Sequence, residues 1–293
     1  MIVSVASGKG GTGKTTVSAS LTTIWGRPIV AVDLDVEEPN LHLFLHPAME
    51  GNETAYIKIP VVDESKCTYC GACSDLCQFK AISVVNQLVM TFPEMCHGCG
   101  GCMAICPEKA ISEGRRELGE ISWGSAGSAG FLMGRLRVGE AMSPPLMRQV
   151  KARLNAMAAG GSRDVIIDAP PGVSCPAVNA VIDSDVIILV TEPTPFGLYD
   201  FQLAWEAFCP LGKPMGAVVN RAGVGNDQIY HFCQDKGLPI LAQIPFDRAI
   251  AEAYARGRII TEVSSDIERI FIDLKEGIRH LAERRSSKEA AHA

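Results

Sequence analysis

Short apolar runs rich in β-branched residues recur along the chain at Met1–Ser7, Pro28–Asp33, Asp164–Asp168, Asp185–Thr191, Lys213–Asn220 and Leu238–Ile244. They are apolar nearly throughout rather than alternating, which predicts strands buried on both faces. Between them, Lys14 to about Trp25, Leu198–Phe208 and Asp227–Lys236 space their apolar residues as helices do. Strands alternating with helices predict βαβ units, an α/β fold whose mainly parallel sheet is covered on both faces. Ile267–Leu281 has the same helical spacing with mixed charges along it, which predicts packing on the domain rather than on a membrane. The polar stretch Ser286–Ala293 predicts a frayed end.

The alternation breaks between about Lys58 and Gly114, where the chain repeats itself after 29 residues. Cys67-Thr68-Tyr69-Cys70-Gly71-Ala72-Cys73 and Cys77 match Cys96-His97-Gly98-Cys99-Gly100-Gly101-Cys102 and Cys106, and both copies end in Lys-Ala-Ile-Ser. An internal repeat of this kind predicts two copies of one small unit sharing a core. The chain therefore divides into residues 1–57, an inserted module at 58–115 entered and left through one edge, and residues 116–293. Gly124 to Gly130, all Gly, Ser and Ala, predicts a flexible loop between two strand-like runs.

Composition narrows the classes. A chain of 293 residues with 47% hydrophobic residues accommodates one large domain and a small module. The formal charge of −6 argues against nucleic acid. No apolar run is long enough to span a bilayer, and no basic segment precedes Ile2–Ser7 as a signal peptide would require. Eleven cysteines without a secretion signal predict a cytoplasmic protein that uses thiols as metal ligands rather than in disulfides.

Gly8-Lys9-Gly10-Gly11-Thr12-Gly13-Lys14-Thr15-Thr16 follows the first strand and opens the first helix. The pattern Gly-x₄-Gly-Lys-Thr in that setting is a P-loop: backbone N–H groups wrap the phosphates, Lys14 reaches the β/γ-phosphates and Thr15 ligates Mg²⁺. Lys9 adds a second lysine at the start of the loop. In this the chain resembles the deviant Walker A ATPases, the superfamily of MinD, ParA, Mrp-type carriers and the nitrogenase iron protein, over nearly all residues outside the insert.

The resemblance implies ATP hydrolysis by a homodimer or paralogue heterodimer, with Lys9 reaching the partner's phosphates. It identifies Asp33-Leu34-Asp35 with switch I, Asp35 orienting the attacking water and Asp33 near the metal's outer shell. Asp168 takes the Walker B position, followed by a switch II at Ala169–Gly172. Asn220 falls at the adenine-reading position, and Ile244-Pro245-Phe246-Asp247 at the last nucleotide-side loop. The implied catalytic residues are Lys14, Asp35 and Lys9. The implied nucleotide contacts are Gly8 through Thr16 with Asp33, Asp168, Asn220 and Pro245.

The eight insert cysteines follow C-x₂-C-x₂-C-x₃-C twice, the bacterial ferredoxin run in which each fourth cysteine ligates the other cluster. This assigns Cys67, Cys70, Cys73 and Cys106 to one [4Fe–4S] cluster and Cys96, Cys99, Cys102 and Cys77 to the other. Zinc fits less well, because its sites pair two close cysteines with a distant second pair. Pro107 follows the last cysteine of the second run, but Gln78 stands there in the first. Outside the insert, Cys209 and Cys233 are expected as small buried side chains, and His42 and His46 as helix-surface residues. Cys175 follows Asp168 at the offset of a cluster ligand in the nitrogenase iron protein. It reads equally as a thiol shared across a dimer and as a structural cysteine of switch II.

Together these motifs imply an ATPase with two [4Fe–4S] clusters, ATP/ADP and Mg²⁺. Its nucleotide state would gate electron transfer to a redox partner. The alternative is a carrier ATPase that assembles or hands on iron–sulfur clusters to an acceptor. MinD-like spatial positioning is disfavoured by the lack of a membrane-binding tail.

Overall fold

The computed structural model describes residues 1–158 and 163–290. In chain order the elements are β1 (Ile2–Ala6), α1 (Lys14–Ile24), β2 (Ile29–Asp33), α2 (His42–Leu45), β3 (Ala48–Val62), α3 (Ala72–Leu76), β4 (Ile82–Val85), β5 (Leu88–Thr91), α4 (Gly101–Ile105), β6 (Ile111–Ala126), β7 (Ala129–Leu136), α5 (Ser143–Ala158), β8 (Asp164–Asp168), α6 (Cys175–Val181), β9 (Val186–Thr191), α7 (Pro195–Phe208), β10 (Met215–Ala222), α8 (Gln228–Asp235), β11 (Ile240–Pro245), α9 (Arg248–Ala255) and α10 (Ser265–Ala290).

They form two compact units. The first holds Met1–Asn52, Ile121–Arg135 and Met147–Ala293, and the second Glu53–Glu120 and Leu136–Leu146.

Seven strands of the first unit lie in the order β11-β10-β9-β1-β8-β2-β7, followed in the same sheet by β6 and β3, of which only Ile121–Ala126 and Ala48–Asn52 belong to that unit. From β11 to β7 every neighbour is parallel. The β-branched runs explain this: Val3, Val5, Ile166, Ile188 and Val218 are fully buried and pack in one core with Val17 and Leu21 of α1, Trp25 just after it, and Phe271, Leu274 and Ile278 of α10. Each such burial stabilises by about 1.5–3 kcal/mol. Ser4, between Val3 and Val5 and so pointing to the other face, bonds Ala180 of α6 and Ser184 instead.

Three expectations are corrected. The segment 124–130 is no flexible loop. β6 continues to Ala126, Gly127 and Ser128 make a two-residue turn, and β7 begins at Ala129. Gly124 is there for close approach: a Cβ on it would stand 2.1 Å from the Ala48 carbonyl oxygen of β3. Cys209 is exposed, unlike the buried Cys233, whose thiol burial pushes up to about 11. At the end of the chain α10 runs on to Ala290, and residues 291–293 lie outside the described residues.

The second unit carries the repeat into three dimensions. Helices α3 and α4 occupy equivalent positions, each entered through a left-handed glycine, Gly71 and Gly100. Tyr69 and Gly98, then Lys80 and Lys109, form matching pairs of positive φ. A two-stranded antiparallel sheet, β4–β5, lies between the copies in sequence. The shared core centres on Cys73, Ile82 and Ile111, with Val62, Val84 and Val89 packed against it.

Candidate functional site

The P-loop joins β1 to α1. Gly11 and Gly13 take φ of 77° and 97°, a region that favours glycine. Gly13 is the N-cap of α1 and supplies no side chain, so the first N–H groups of the helix face the loop without a side-chain acceptor. Nothing lies within 4 Å of where a Cβ on Gly10 or Gly11 would stand, which leaves room at the mouth. Gly8 is required for a different reason: a Cβ there would meet the Asp200 carbonyl of α7 at 1.9 Å. Among the second group of loop contacts, Asn220 at the end of β10 donates from Nδ2 to the Thr12 carbonyl at 2.8 Å, and its Oδ1 accepts from the Arg221 N–H at 2.9 Å.

Carboxylates converge beneath Lys14. Asp33 and Asp168 stand opposite each other in the β2–β8 register and both are buried. Asp168 accepts from Thr15 Oγ1 at 2.7 Å and Ser18 Oγ at 2.9 Å. Asp33 accepts from the Asp35 and Leu41 N–H groups, so it braces the loop after β2. Burial raises both acids above the usual carboxylate range, Asp33 the further, because the charge of Asp168 adds to it. Asp35 is less buried; burial and then Asp168 push it up to about 6 against the pull of Lys14. Burial lowers Lys14, opposed by Asp168, Asp35 and Asp33.

Gly10, Gly11, Gly13, Lys14, Thr15 and Thr16 line an open cleft of about 420 Å³ whose far walls include Asp35, Asn220, Arg221, Pro245 and Phe246. Asp33 and Asp168 lie below it rather than on its surface, and Lys9 also lies outside the lining. The sequence-predicted nucleotide residues are thus gathered around one cleft and its floor. Sequence reasoning missed two partners of these residues, the Ser18 hydroxyl of α1 that donates to Asp168 and the Glu192 carboxylate paired with Lys9. Neither belongs to a motif, and each becomes visible only once β8 and β9 flank β1.

The CobQ/CobB/MinD/ParA nucleotide-binding domain matches residues 3–260. The chain belongs to that family. It is therefore a nucleotide-binding protein of the MinD/ParA ATPase type. Two uncharacterised proteins of Methanocaldococcus jannaschii are similar along most of their length. MJ0578 is 34% identical, with 95% of this chain and 98% of the relative covered; MJ0579 is 30% identical, with 88% and 90% covered. Among solved structures, the septum site-determining protein MinD complexed with Mg-ADP from Pyrococcus horikoshii shares the fold. The TM-score is 0.60, at 24% identity over 96% of both chains. The cell division ATPase MinD of Pyrococcus furiosus gives a TM-score of 0.58 at 22% identity, over 96% of this chain and 98% of that one.

In the second unit four of the thiols share a site. Cys67, Cys70 and Cys73 of the first repeat and Cys106 of the second line one small pocket of about 20 Å³, with Val62, Val84, Val89, Pro107 and Ile111 around them. The repeat-related Cys77 and Cys106 accept equivalent N–H···S bonds, each at 3.3 Å, from Ala81 and Ala110. Cys96 accepts another from Gly98 at 3.4 Å. The departure at Gln78 leaves the Cys77 turn intact: Lys80 N–H bonds the Cys77 carbonyl at 3.2 Å, as Lys109 does Cys106. His97 is exposed and stacks on Phe79, ring centroids 3.5 Å apart. Among the described residues no three His, Cys, Asp or Glu side chains converge on a point where one metal ion would sit. Also among the described residues, no helix is long and apolar enough to cross a membrane. Cys175 is exposed at the first turn of α6.

Proposed function

We propose that this chain is a Mg²⁺-dependent ATPase whose nucleotide state sets its dimer geometry, and that its cysteine unit holds two [4Fe–4S] clusters serving electron transfer to a partner. The division follows the sequence reading: an ATPase in two parts, 1–57 and 116–293, around a bacterial-type ferredoxin module at 58–115. In the cleft, Lys14 and the P-loop N–H groups bind the β/γ-phosphates, and Thr15 with Asp168 beneath it holds Mg²⁺. Asp35 orients the attacking water, and Lys9 serves the nucleotide of a partner subunit. That two homologous chains of one organism resemble this protein supports a paralogue as well as a second copy as the partner.

The observation that carries the cluster reading is the cavity shared by Cys67, Cys70, Cys73 and Cys106. Three thiols come from one repeat and the fourth from the other, the cross-ligation expected of a two-cluster ferredoxin. In a [4Fe–4S] cluster each cysteine would hold a different iron, so the four ligands would not have to meet at one point as those of a single ion do. The donors are soft thiols, suited to iron–sulfur chemistry. The clusters, when bound, supply one-electron storage; the chain's own part is to hold them by thiolates, with N–H···S bonds to Cys77, Cys96 and Cys106 easing the negative charge on sulfur.

Anaerobic iron and sulfide analysis tests this reading: about eight irons per chain with matching acid-labile sulfide are expected. Zinc without sulfide would overturn it. The carrier reading differs in one respect, that iron must pass to an apo-acceptor during turnover, whereas here iron content stays constant as ATP is consumed.

A further inference from the structure

Lys9 is held by a residue that no motif includes. Its Nζ stands 2.5 Å from Glu192 Oε1, while Arg221 Nη1 stands 2.8 Å from Glu192 Oε2, so one carboxylate carries both cations. Glu192 directly follows β9, and its side chain is only 11% exposed. Its stem is fixed by α7, because a Cβ on Gly197 would lie 2.2 Å from the Glu192 carbonyl oxygen and 2.9 Å from its Cγ. The Lys9 backbone is fixed too, its carbonyl accepting from Ser7 Oγ at 2.6 Å. Arg221 adopts φ of +54°, uncommon for a residue with a side chain, immediately after the asparagine that bonds the P-loop. Strain of this kind persists where surrounding contacts enforce it.

We propose that Glu192 is a positioning residue that withholds Lys9 from a partner's nucleotide, and that Arg221 is the second counterion that lets Glu192 release it. The inference rests on the reading of Lys9 as an intermonomer lysine. For Lys9 to reach across, its pair with Glu192 has to break, and a poorly solvated carboxylate left alone would be costly. Arg221 remains on the other oxygen, so the charge is never uncompensated. In a two-fold dimer this exchange happens twice, once in each subunit, which doubles its influence on the association equilibrium. The clamp thus raises the threshold at which nucleotide drives dimerisation, and the two cations on Glu192 act in opposite directions.

Sedimentation of the full chain with a non-hydrolysable ATP analogue and Mg²⁺ tests the exchange. Glu192→Gln should tighten the dimer about tenfold, the scale of one close charge pair. Arg221→Gln should loosen it, because Lys9 then becomes the sole counterion of Glu192. The double variant should behave like Glu192→Gln alone, since a neutral amide no longer needs Arg221. A residue that merely supports the fold would not give opposite signs within one contact. Loosening by Glu192→Gln, or equal and additive losses from both variants, would overturn the inference. Lys9→Ala separates the levels: an unchanged dimer there overturns the intermonomer reading itself, whereas a weakened dimer with an indifferent Glu192→Gln overturns the clamp alone.

Discussion

The two units assemble their chemistry in opposite ways. In the cysteine unit all eight thiols of the two runs lie between residues 67 and 106, set by two short copies of one turn–helix pattern, and the placement of Cys106 beside Cys67, Cys70 and Cys73 requires only that the copies pack together. In the nucleotide unit the cleft draws on residues from Gly10 to Ile260. Its floor exists because β2 and β8 are neighbours, which brings Asp33 level with Asp168 across most of half the chain. The first arrangement is local, the second long-range and dependent on a packed sheet. A site of the first kind is lost by removing a ligand; one of the second kind survives loss of a ligand but is vulnerable to changes in strand order and close packing.

The sharpest break between the units comes from Lys14→Ala. Removing the cation that faces the β/γ-phosphates should lower ATP hydrolysis by about a hundredfold or more, a scale typical of losing one transition-state charge partner. Iron and sulfide content should be unchanged if, as proposed, the cysteine unit folds around its own clusters. Phosphate release and iron analysis on the same preparation check both halves, and loss of iron together with hydrolysis would erase the distinction drawn between the units.

Cys106→Ser probes the exchange inside the cysteine unit. Its thiol belongs in sequence to the second repeat but lines the pocket of Cys67, Cys70 and Cys73. The variant should lose about half its iron, and the surviving cluster should be the one held by Cys96, Cys99, Cys102 and Cys77. Adding Cys67→Ser should then cost no further iron, whereas adding Cys96→Ser should remove the rest. The reverse pattern would show that each repeat ligates its own cluster. ATP hydrolysis without reductant should be little changed in either double variant.

The same contrast governs what could be read from the sequence. The parallel strands were legible because a strand buried on both faces leaves an unbroken apolar run, and β1, β2, β8, β9, β10 and β11 fall on such runs. The last three strands of the sheet, β7, β6 and the edge strand β3, were not, and β3 has exposed polar residues over much of its length. The Gly- and Ser-rich end of β6 looks like a linker for the same reason it packs closely: it lacks side chains. The P-loop and the cysteine runs are contiguous motifs and announce themselves. Glu192 is a single acid after a strand, with nothing beside it in sequence to mark its contact with Lys9. Cys209 was misplaced because burial of a lone small residue depends on its turn, not on its neighbours in sequence.

A smaller effect, confined to the nucleotide unit, concerns pH. In the proposed role Asp35 has to be ionised to orient water, and burial followed by the charge of Asp168 holds it at about 6 in the free site. The kcat/KM for ATP reports the free enzyme, so it should be level above about pH 7 and fall about tenfold per unit well below pH 6. Stability should move the other way. In the unfolded chain Asp35 titrates near its ordinary value of about 4. Between about pH 4 and 6 the folded state therefore binds more protons than the unfolded state. Protonation there removes the cost of a buried charge, and the contribution of Asp35 to stability rises as pH falls through that window. Asp33 and Asp168, also raised, act in the same sense. Asp35→Asn should thus be nearly inactive yet more stable than the parent at pH 7, by up to about 3 kcal/mol if the full shift were expressed and by less because the site is open to solvent. Denaturant titrations of the two proteins at pH 7 and pH 5 check the sign: the difference should shrink at the lower pH. A variant less stable than the parent at pH 7 would mean that the Asp35 carboxylate is held by favourable contacts, and that its raised pKa does not reflect a strained, ready base.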